Sequence, residues 1–80
     1  MSLGEMAAQY RISSALCRVR ARELERALRD DARAGRVRAM DAAQRRRRIA
    51  VLRTMAHDCG ATAAYLENYS RGGLSFERYI

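Results

Sequence analysis

Two long stretches without proline, separated by one glycine, most strongly constrain what this chain can fold into. Its 80 residues include no proline and are rich in alanine, arginine, leucine and glutamate, which favour long helices. Gly35 can adopt the left-handed conformation that ends a helix, and Gly72–Gly73 can end a second one. We therefore predict one helix over residues 3–33 and another over residues 41–70.

Capping signals support these helix boundaries. Ser2 and Glu5 have the spacing of a capping box at the start of the first helix, and Asp41 and Gln44 have it at the start of the second. The connection of about seven residues is short, and helices joined by short loops pack as antiparallel neighbours. The sequence therefore predicts an all-α fold, an antiparallel two-helix hairpin over residues 1–70.

Apolar residues recur on both helices with the period of an α-helix. At about 100° per residue, one face of the first helix carries Met6, Tyr10, Cys17, Ala21, Leu24 and Leu28. The corresponding face of the second helix carries Ile49, Leu52, Met55, Ala56, Cys59, Thr62, Ala63 and Leu66. A turn centred near residue 38 pairs Tyr10 with Leu66, Cys17 with Cys59, Ala21 with Met55, and Leu24 with Leu52. We expect these two faces to form the seam of the hairpin.

A two-helix hairpin cannot cover all of the apolar residues in this chain. Further apolar side chains lie away from the centre of the expected seam, at Ile12, Leu16, Val19, Val51, Tyr65 and Tyr69. Excess apolar surface on a helical hairpin is typical of a chain that packs against another one. We expect a homodimer in the form of a four-helix bundle, with these residues in its interface. A different protein partner would satisfy the same surface, and the sequence does not choose between the two.

The formal net charge of +7 says more about partners than any motif does. All sixteen basic residues are arginines, and arginine donates paired hydrogen bonds to phosphate groups. The candidates for contact with a nucleic acid or nucleoprotein are Arg11, Arg18, Arg22, Arg29, Arg46 and Arg53. Two alternatives are an ordinary solvated face and a GC-rich gene that inflates arginine usage. Within the run of four arginines, we expect Arg45 and Arg48 to turn toward the seam and pair with Asp31 or Asp30.

The chain has no pattern that is typical of a catalytic or metal site. His57 and Cys59 point in different directions on one helix, so they do not form a nucleophile pair. One histidine and two cysteines are too few for a zinc site with four protein ligands. Cys17 and Cys59 face each other in the expected register, as two free thiols, which we favour, or as a disulfide. We expect a non-enzymatic protein without metal, cofactor or small-molecule substrate.

The last ten residues and the hydropathy of the chain lead to two further expectations. Residues 71–80 are too apolar for a free disordered end, so we expect them to fold back onto the hairpin or a dimer partner. A docking peptide that follows a glycine hinge is the alternative. No apolar run reaches the roughly 18–20 residues that span a bilayer, and no signal peptide is visible. We therefore expect a cytoplasmic protein that does not enter a membrane.

Several short segments carry a resemblance to known proteins. They are Tyr10–Arg11 with Ser13–Ala15, Arg48–Ile49 with Leu52 and Met55, Tyr65–Tyr69, and Glu77–Ile80. In these segments the chain resembles a loose group of small helical-hairpin proteins of bacterial mobile elements and prophages, a group without an established activity. The resemblance implies a similar architecture and a mobile-element setting. By analogy, small phage-type proteins often bind a host nucleoprotein, including defence nucleases.

Together these observations predict a small basic binding protein. We expect it to engage a nucleic acid or nucleoprotein through its arginine face, as an accessory or inhibitor protein for which anti-CRISPR proteins are an analogy. The alternative is a homo-oligomeric adaptor or assembly module that binds a protein partner through its apolar stripes.

Overall fold

The computed structural model describes residues 1–70, which form two α-helices packed against each other. Helix α1 runs from Leu3 to Arg33 and helix α2 from Ala39 to Ser70. At 1.5 Å per residue each helix is about 45 Å long. A Cβ atom at Gly4 would lie 4.0 Å from the Oγ of Ser70, so the start of α1 meets the end of α2. The described part of the chain is an all-helical hairpin. The expectations for residues 71–80 lie outside it.

The first helix begins and ends as its local sequence predicts. The Oγ of Ser2 accepts a hydrogen bond of 3.0 Å from the backbone N–H of Glu5, which confirms Ser2 as the N-cap. At the other end Gly35 has a φ of 69°, which confirms its left-handed conformation. The N–H of Gly35 donates to the carbonyl of Ala32, and the N–H of Arg36 donates to the carbonyl of Asp31. This pair of bonds is a Schellman motif, and it satisfies carbonyls that the end of the helix would otherwise leave without a donor.

The second helix begins two residues earlier than the sequence predicts. Its first residue is Ala39, and the carbonyl of Arg38 accepts a hydrogen bond of 2.9 Å from the N–H of Ala42. Asp41 is therefore not the N-cap but a residue of the first helical turn. A carboxylate in this position is still favourable, because the N-terminal end of a helix carries a partial positive charge. The capping box assigned to Asp41 and Gln44 was wrong in position, although the helix it indicated is present.

The seam between the helices follows a strict seven-residue repeat. Its buried residues are Ala7, Ser14, Ala21 and Leu28 on α1, and Ala42, Ile49, Ala56 and Ala63 on α2. Half-buried residues three positions further along complete the pattern, at Cys17, Leu24 and Asp31 and at Arg45, Leu52, Cys59 and Leu66. A seven-residue repeat corresponds to 3.5 residues per turn and gives two helices a left-handed supercoil. Six of the eight buried residues are Ala or Ser, so the backbones can approach closely.

This repeat corrects part of the expected seam. Met55 is 47% exposed and lies at the edge of the interface, while Ala56 is buried, so the predicted pairing of Ala21 with Met55 is wrong. Tyr10 and Thr62 are also exposed. Met55 and Thr62 each lie one position before a buried alanine of the repeat, at the edge of the interface. Tyr10 lies on the repeat itself, seven residues before Cys17, and is 37% exposed.

Larger side chains fill the turn end of the seam, and one hydroxyl lies buried in its middle. Leu28 and Ile49 form the core near the turn, with Leu24, Val37 and Leu52 packed against it. The Oγ of Ser14, which is 3% exposed, donates a 2.7 Å hydrogen bond to the carbonyl of Ala56. This bond ties α1 to the backbone of α2, and no buried side-chain nitrogen or oxygen within residues 1–70 lacks a partner.

Candidate functional site

Charge is distributed very unequally along the hairpin. Residues 18–53, which form the half of the hairpin that contains the turn, carry thirteen arginines and five acidic residues, a net charge of +8. The rest of the described chain, residues 1–17 and 54–70, carries one arginine and three acidic residues, a net charge of −2. We call these two parts the basic turn half and the open half. A polyanion is therefore attracted to one end of the molecule.

Ion pairs across the seam line one of its edges. On α1 this edge carries Arg11, Arg18 and Glu25, spaced seven residues apart. On α2 it carries Glu67, Gly60 and Arg53 with the same spacing, in the opposite direction. The carboxylate of Glu67 accepts a 2.6 Å hydrogen bond from Arg11, and Glu25 forms an ion pair with Arg53. Between these two pairs, Arg18 lies opposite a glycine.

The ion pair between Arg11 and Glu67 changes the pKa of the arginine. The hydrogen bond from Arg11 to Glu67, together with the attraction between their charges, raises the pKa of Arg11 above its ordinary value. Because this guanidinium group is already paired with a carboxylate, it is less available to a phosphate than an arginine without a partner.

A second cluster of charges surrounds Asp31 at the turn. Its carboxylate accepts a hydrogen bond of 2.9 Å from Arg45 and forms a 3.3 Å ion pair with Arg36. The hydrogen bond from Arg45 is the main cause that lowers the pKa of Asp31, and Arg36 adds to it. The expected pairing of Arg45 with Asp31 is confirmed. Arg48 does not turn toward the seam as we expected: it is exposed and forms no ion pair with any residue of the described range.

The arginines divide into those with and those without a carboxylate partner. Six of the fourteen arginines in residues 1–70 form ion pairs: Arg11, Arg20, Arg29, Arg36, Arg45 and Arg53. The other eight form none within this range: Arg18, Arg22, Arg26, Arg33, Arg38, Arg46, Arg47 and Arg48. All eight lie in the basic turn half, which therefore keeps a large surplus of uncompensated guanidinium groups.

A groove at the inner boundary of this half collects several basic side chains. It has a volume of about 320 Å³, and its walls are formed by Arg18 and Arg22 of α1 and by Arg53 and His57 of α2. Ala21 and Ala56, both buried in the seam, also line it. Each helix contributes two basic side chains four residues apart, which places both on the same face of their helix.

The structure thus separates the six arginines that the sequence singled out. Arg18, Arg22 and Arg53 line one groove. Arg11 and Arg29 form ion pairs, with Glu67 and Glu25 respectively, and Arg46 has no partner but does not line the groove. From the sequence, His57 is only a poor catalytic candidate. Its side chain is 84% exposed, and its spacing of four from Arg53 is the signal that could have assigned it to the same surface.

The apolar residues assigned to an interface are exposed in the hairpin. Ile12, Leu16 and Val19 lie on the side of α1 opposite to the seam and are 50–64% exposed. On α2, Val51, Tyr65 and Tyr69 are also exposed, and the rings of the two tyrosines stack with centroids 6.2 Å apart. Most of these side chains lie in the open half.

Few other chemical groups are gathered in the described range. Cys17 and Cys59 are free, half-buried thiols. No group of three or more metal-ligating side chains is present within residues 1–70. Neither helix is long and apolar enough to cross a membrane, in the part of the chain that the structure describes.

Comparisons of the chain with protein-family models, curated proteins and solved structures gave no match. The resemblance to hairpin proteins of bacterial mobile elements therefore stays a prediction.

Proposed function

We propose that this chain is a small, non-enzymatic binding protein whose basic turn half engages a nucleic acid or a nucleoprotein. The observation that carries the proposal is the set of eight arginines without a carboxylate partner, all within residues 18–53. A protein that binds nucleic acid non-specifically gains most of its affinity from arginine and lysine contacts to phosphates, because these contacts release condensed counterions. A surplus of one charge that served no partner would weaken the compact state by self-repulsion.

The distribution of aromatic residues favours a duplex or a folded RNA over a stretched single strand. Proteins that bind single strands usually stack bases on aromatic side chains within the basic groove. Here all three tyrosines in residues 1–70, at positions 10, 65 and 69, lie in the open half, and the basic turn half has no aromatic ring. Its arginines are therefore suited to contact with the phosphate backbone, which positions a protein on nucleic acid without reading bases.

Two variants with the same net charge test the proposal. The first neutralises four arginines without partners, by Arg26→Gln, Arg33→Gln, Arg47→Gln and Arg48→Gln. The second leaves every arginine in place and adds four acids to exposed positions of the open half, by Ser13→Glu, Ala61→Glu, Thr62→Glu and Asn68→Asp. Both variants have a formal net charge of +3, because removing four positive charges or adding four negative charges lowers the value of +7 by four.

Binding to a fluorescent DNA duplex is measured for both variants and the parent chain over a series of salt concentrations. We expect the first variant to lose about tenfold or more in affinity, and its log–log salt slope to fall by about 0.9 for each phosphate contact removed. The second variant should keep most of its affinity, because the basic turn half is intact. Equal losses in the two variants, or binding that does not depend on salt, would contradict the proposal.

The exposed apolar face of α1 supports a second candidate function, an adaptor or assembly module. Ile12, Leu16 and Val19 form a row that no residue of the described hairpin covers, and such a row suits a homodimer or a protein partner. Changing Ile12 and Leu16 to glutamate should then abolish association in light scattering, while the four arginine changes above leave it intact. A chain that is monomeric before these changes, at micromolar concentration, argues against self-association.

The setting of the protein belongs to the proposal as well. Two free, half-buried thiols suit a reducing compartment, so we place the chain in the cytoplasm. Binding to a host nucleoprotein, as an accessory or inhibitor protein of a mobile element, is the biological role that fits both the basic turn half and the resemblance of the sequence.

A further inference from the structure

We propose that the groove between Arg18, Arg22, Arg53 and His57 is a specific site for one phosphate group. This inference rests on the proposed function and deepens it, since it names the ligand chemistry and the residues of one site at the inner boundary of the basic turn half. General attraction of a polyanion needs only charge. A site needs guanidinium groups that converge on one volume, and this groove is where the structure brings them together.

The walls of the groove come from both helices. Each wall is a pair of residues with a spacing of four, Arg18 and Arg22 on α1 and Arg53 and His57 on α2. Ala21 and Ala56 lie between the two walls. Alanine side chains in the floor leave the space between the walls unfilled, and the volume of about 320 Å³ is enough for a small ligand. A tetrahedral phosphate can accept hydrogen bonds from several guanidinium groups that approach from different sides.

Arg18 lies in the row of ion pairs along this edge of the seam, but no carboxylate stands opposite it. Seven residues from Arg18 toward the open end, Arg11 forms an ion pair with Glu67. Seven residues toward the turn, Glu25 forms an ion pair with Arg53. The position opposite Arg18 is Gly60, and a Cβ there would lie only 3.7 Å from Nη2 of Arg18. Arg18 therefore reaches the partner helix without meeting a carboxylate. A bound phosphate would supply the charge that the row of pairs lacks.

Glu25 holds one wall of the groove in position. Its carboxylate forms ion pairs with Arg53 across the seam and with Arg29 on its own helix. Arg53 is therefore held beside the groove, where it adds positive charge, but like Arg11 it is already paired with a carboxylate. Arg18 and Arg22 have no carboxylate partner within residues 1–70, so they donate to a ligand without first giving up an ion pair.

The test is a titration of the full ¹⁵N-labelled chain with inorganic phosphate, followed by NMR at constant ionic strength maintained with chloride. The groove variant carries Arg18→Gln and Arg22→Gln. The matched control carries Arg26→Gln and Arg33→Gln, which removes the same charge from two exposed arginines of α1 that also lack partners.

In the parent chain we expect saturable shifts of backbone amides around the groove. The groove variant should bind phosphate about tenfold more weakly or worse, as the loss of charge-assisted hydrogen bonds predicts, and the control should stay within about twofold of the parent chain. Shifts that never saturate, or equal weakening in the two variants, would overturn the site and leave only general attraction. The amide spectrum of each variant without phosphate reports whether the fold is intact.

A second titration, with a DNA duplex, distinguishes the two sources of a phosphate group. If the groove variant loses more affinity for the duplex than the control does, the ligand is a phosphodiester of the nucleic acid backbone. If the two bind the duplex equally while phosphate binding is lost only in the groove variant, the site stands and its ligand is a free phosphate-bearing molecule. A parent chain that binds phosphate in the groove but no nucleic acid would overturn the proposed function and keep the site.

Discussion

The two adjacent serines of α1 allow the hydrogen bond across the seam to be measured directly. Ser14 is buried and donates to the carbonyl of Ala56 at 2.7 Å, whereas Ser13 is exposed. A net hydrogen bond contributes about 1 kcal/mol, and alanine is favoured over serine within a helix by about 0.5 kcal/mol. Ser14→Ala should therefore lower the free energy of unfolding by about 0.5 kcal/mol, while Ser13→Ala should raise it by about the same amount.

The difference between the two variants isolates the bond, because the change in helix propensity is shared. Thermal unfolding is followed by far-UV circular dichroism at one fixed protein concentration, since any self-association would make Tm depend on concentration. For a domain of this size we expect Tm to fall by about 2–4 °C in Ser14→Ala and to rise by about 2–4 °C in Ser13→Ala. If both variants shift Tm in the same direction and by the same amount, the hydroxyl of Ser14 contributes nothing to stability and the reasoning fails.

Three further predictions follow from the turn and the seam. Gly35→Ala should lower stability by about 1 kcal/mol, because the φ of 69° is unfavourable for a residue with a Cβ; an unchanged urea midpoint would contradict this. Gly60→Ala should raise stability by about 0.5–1 kcal/mol, since the added methyl group meets only Ser14 and Arg18 at ordinary contact distances, and a lower Tm would show that the seam is too tight for it. The pKa of Asp31 is lowered in the folded chain, so its carboxylate stabilises the fold above the ordinary value of about 3.9 and loses this contribution as pH falls through the lowered pKa. When the free energy of unfolding is measured as a function of pH, Asp31→Asn should lose less stability toward acid pH than the parent chain. The same slope in both proteins would refute the role of this group.

Helix ends could be predicted from the sequence because their causes are local. The cap at Ser2 depends on a residue three positions away, and the turn at Gly35 depends on the freedom of one glycine to take a positive φ. The start of α2 was less predictable. The carbonyl of Arg38 begins the helical hydrogen bonds, and a backbone carbonyl leaves no signal in the identity of the side chain.

The seam was only partly predictable because burial in it follows geometry more than hydrophobicity. The apolar stripe predicts Tyr10 and Met55 in the seam, because large apolar residues dominate it. The structure instead buries Ala7 and Ser14, which have small or polar side chains and recur every seven residues with Ala21. The stripe at 100° per residue includes Ala21 and Leu28 of this repeat but not Ala7 and Ser14, which only a search for small residues at a spacing of seven would find.

The residues of the candidate site could be predicted only in part from the sequence. Pairs with a spacing of four, such as Arg18 with Arg22, are visible in the sequence as neighbours on one helix face. Which of them meets Arg53 and His57 depends on the register of one helix against the other, and that register depends on the small residues of the seam. The ion pairs that occupy Arg11 and Arg29 could likewise not be predicted from the helices taken separately.

The unequal charge of the two halves also affects how the hairpin would meet a partner. Within residues 1–70, a charge of +8 at one end and −2 at the other makes the hairpin a large electric dipole along its length. Each helix is about 45 Å long, several times the screening length of about 10 Å in 0.1 M salt, so the two ends experience different potentials near a polyanion. The resulting torque rotates the hairpin turn-first before any contact forms, and such steering raises the rate of association. The apolar face of the open half then points away from the polyanion, where a second molecule can reach it.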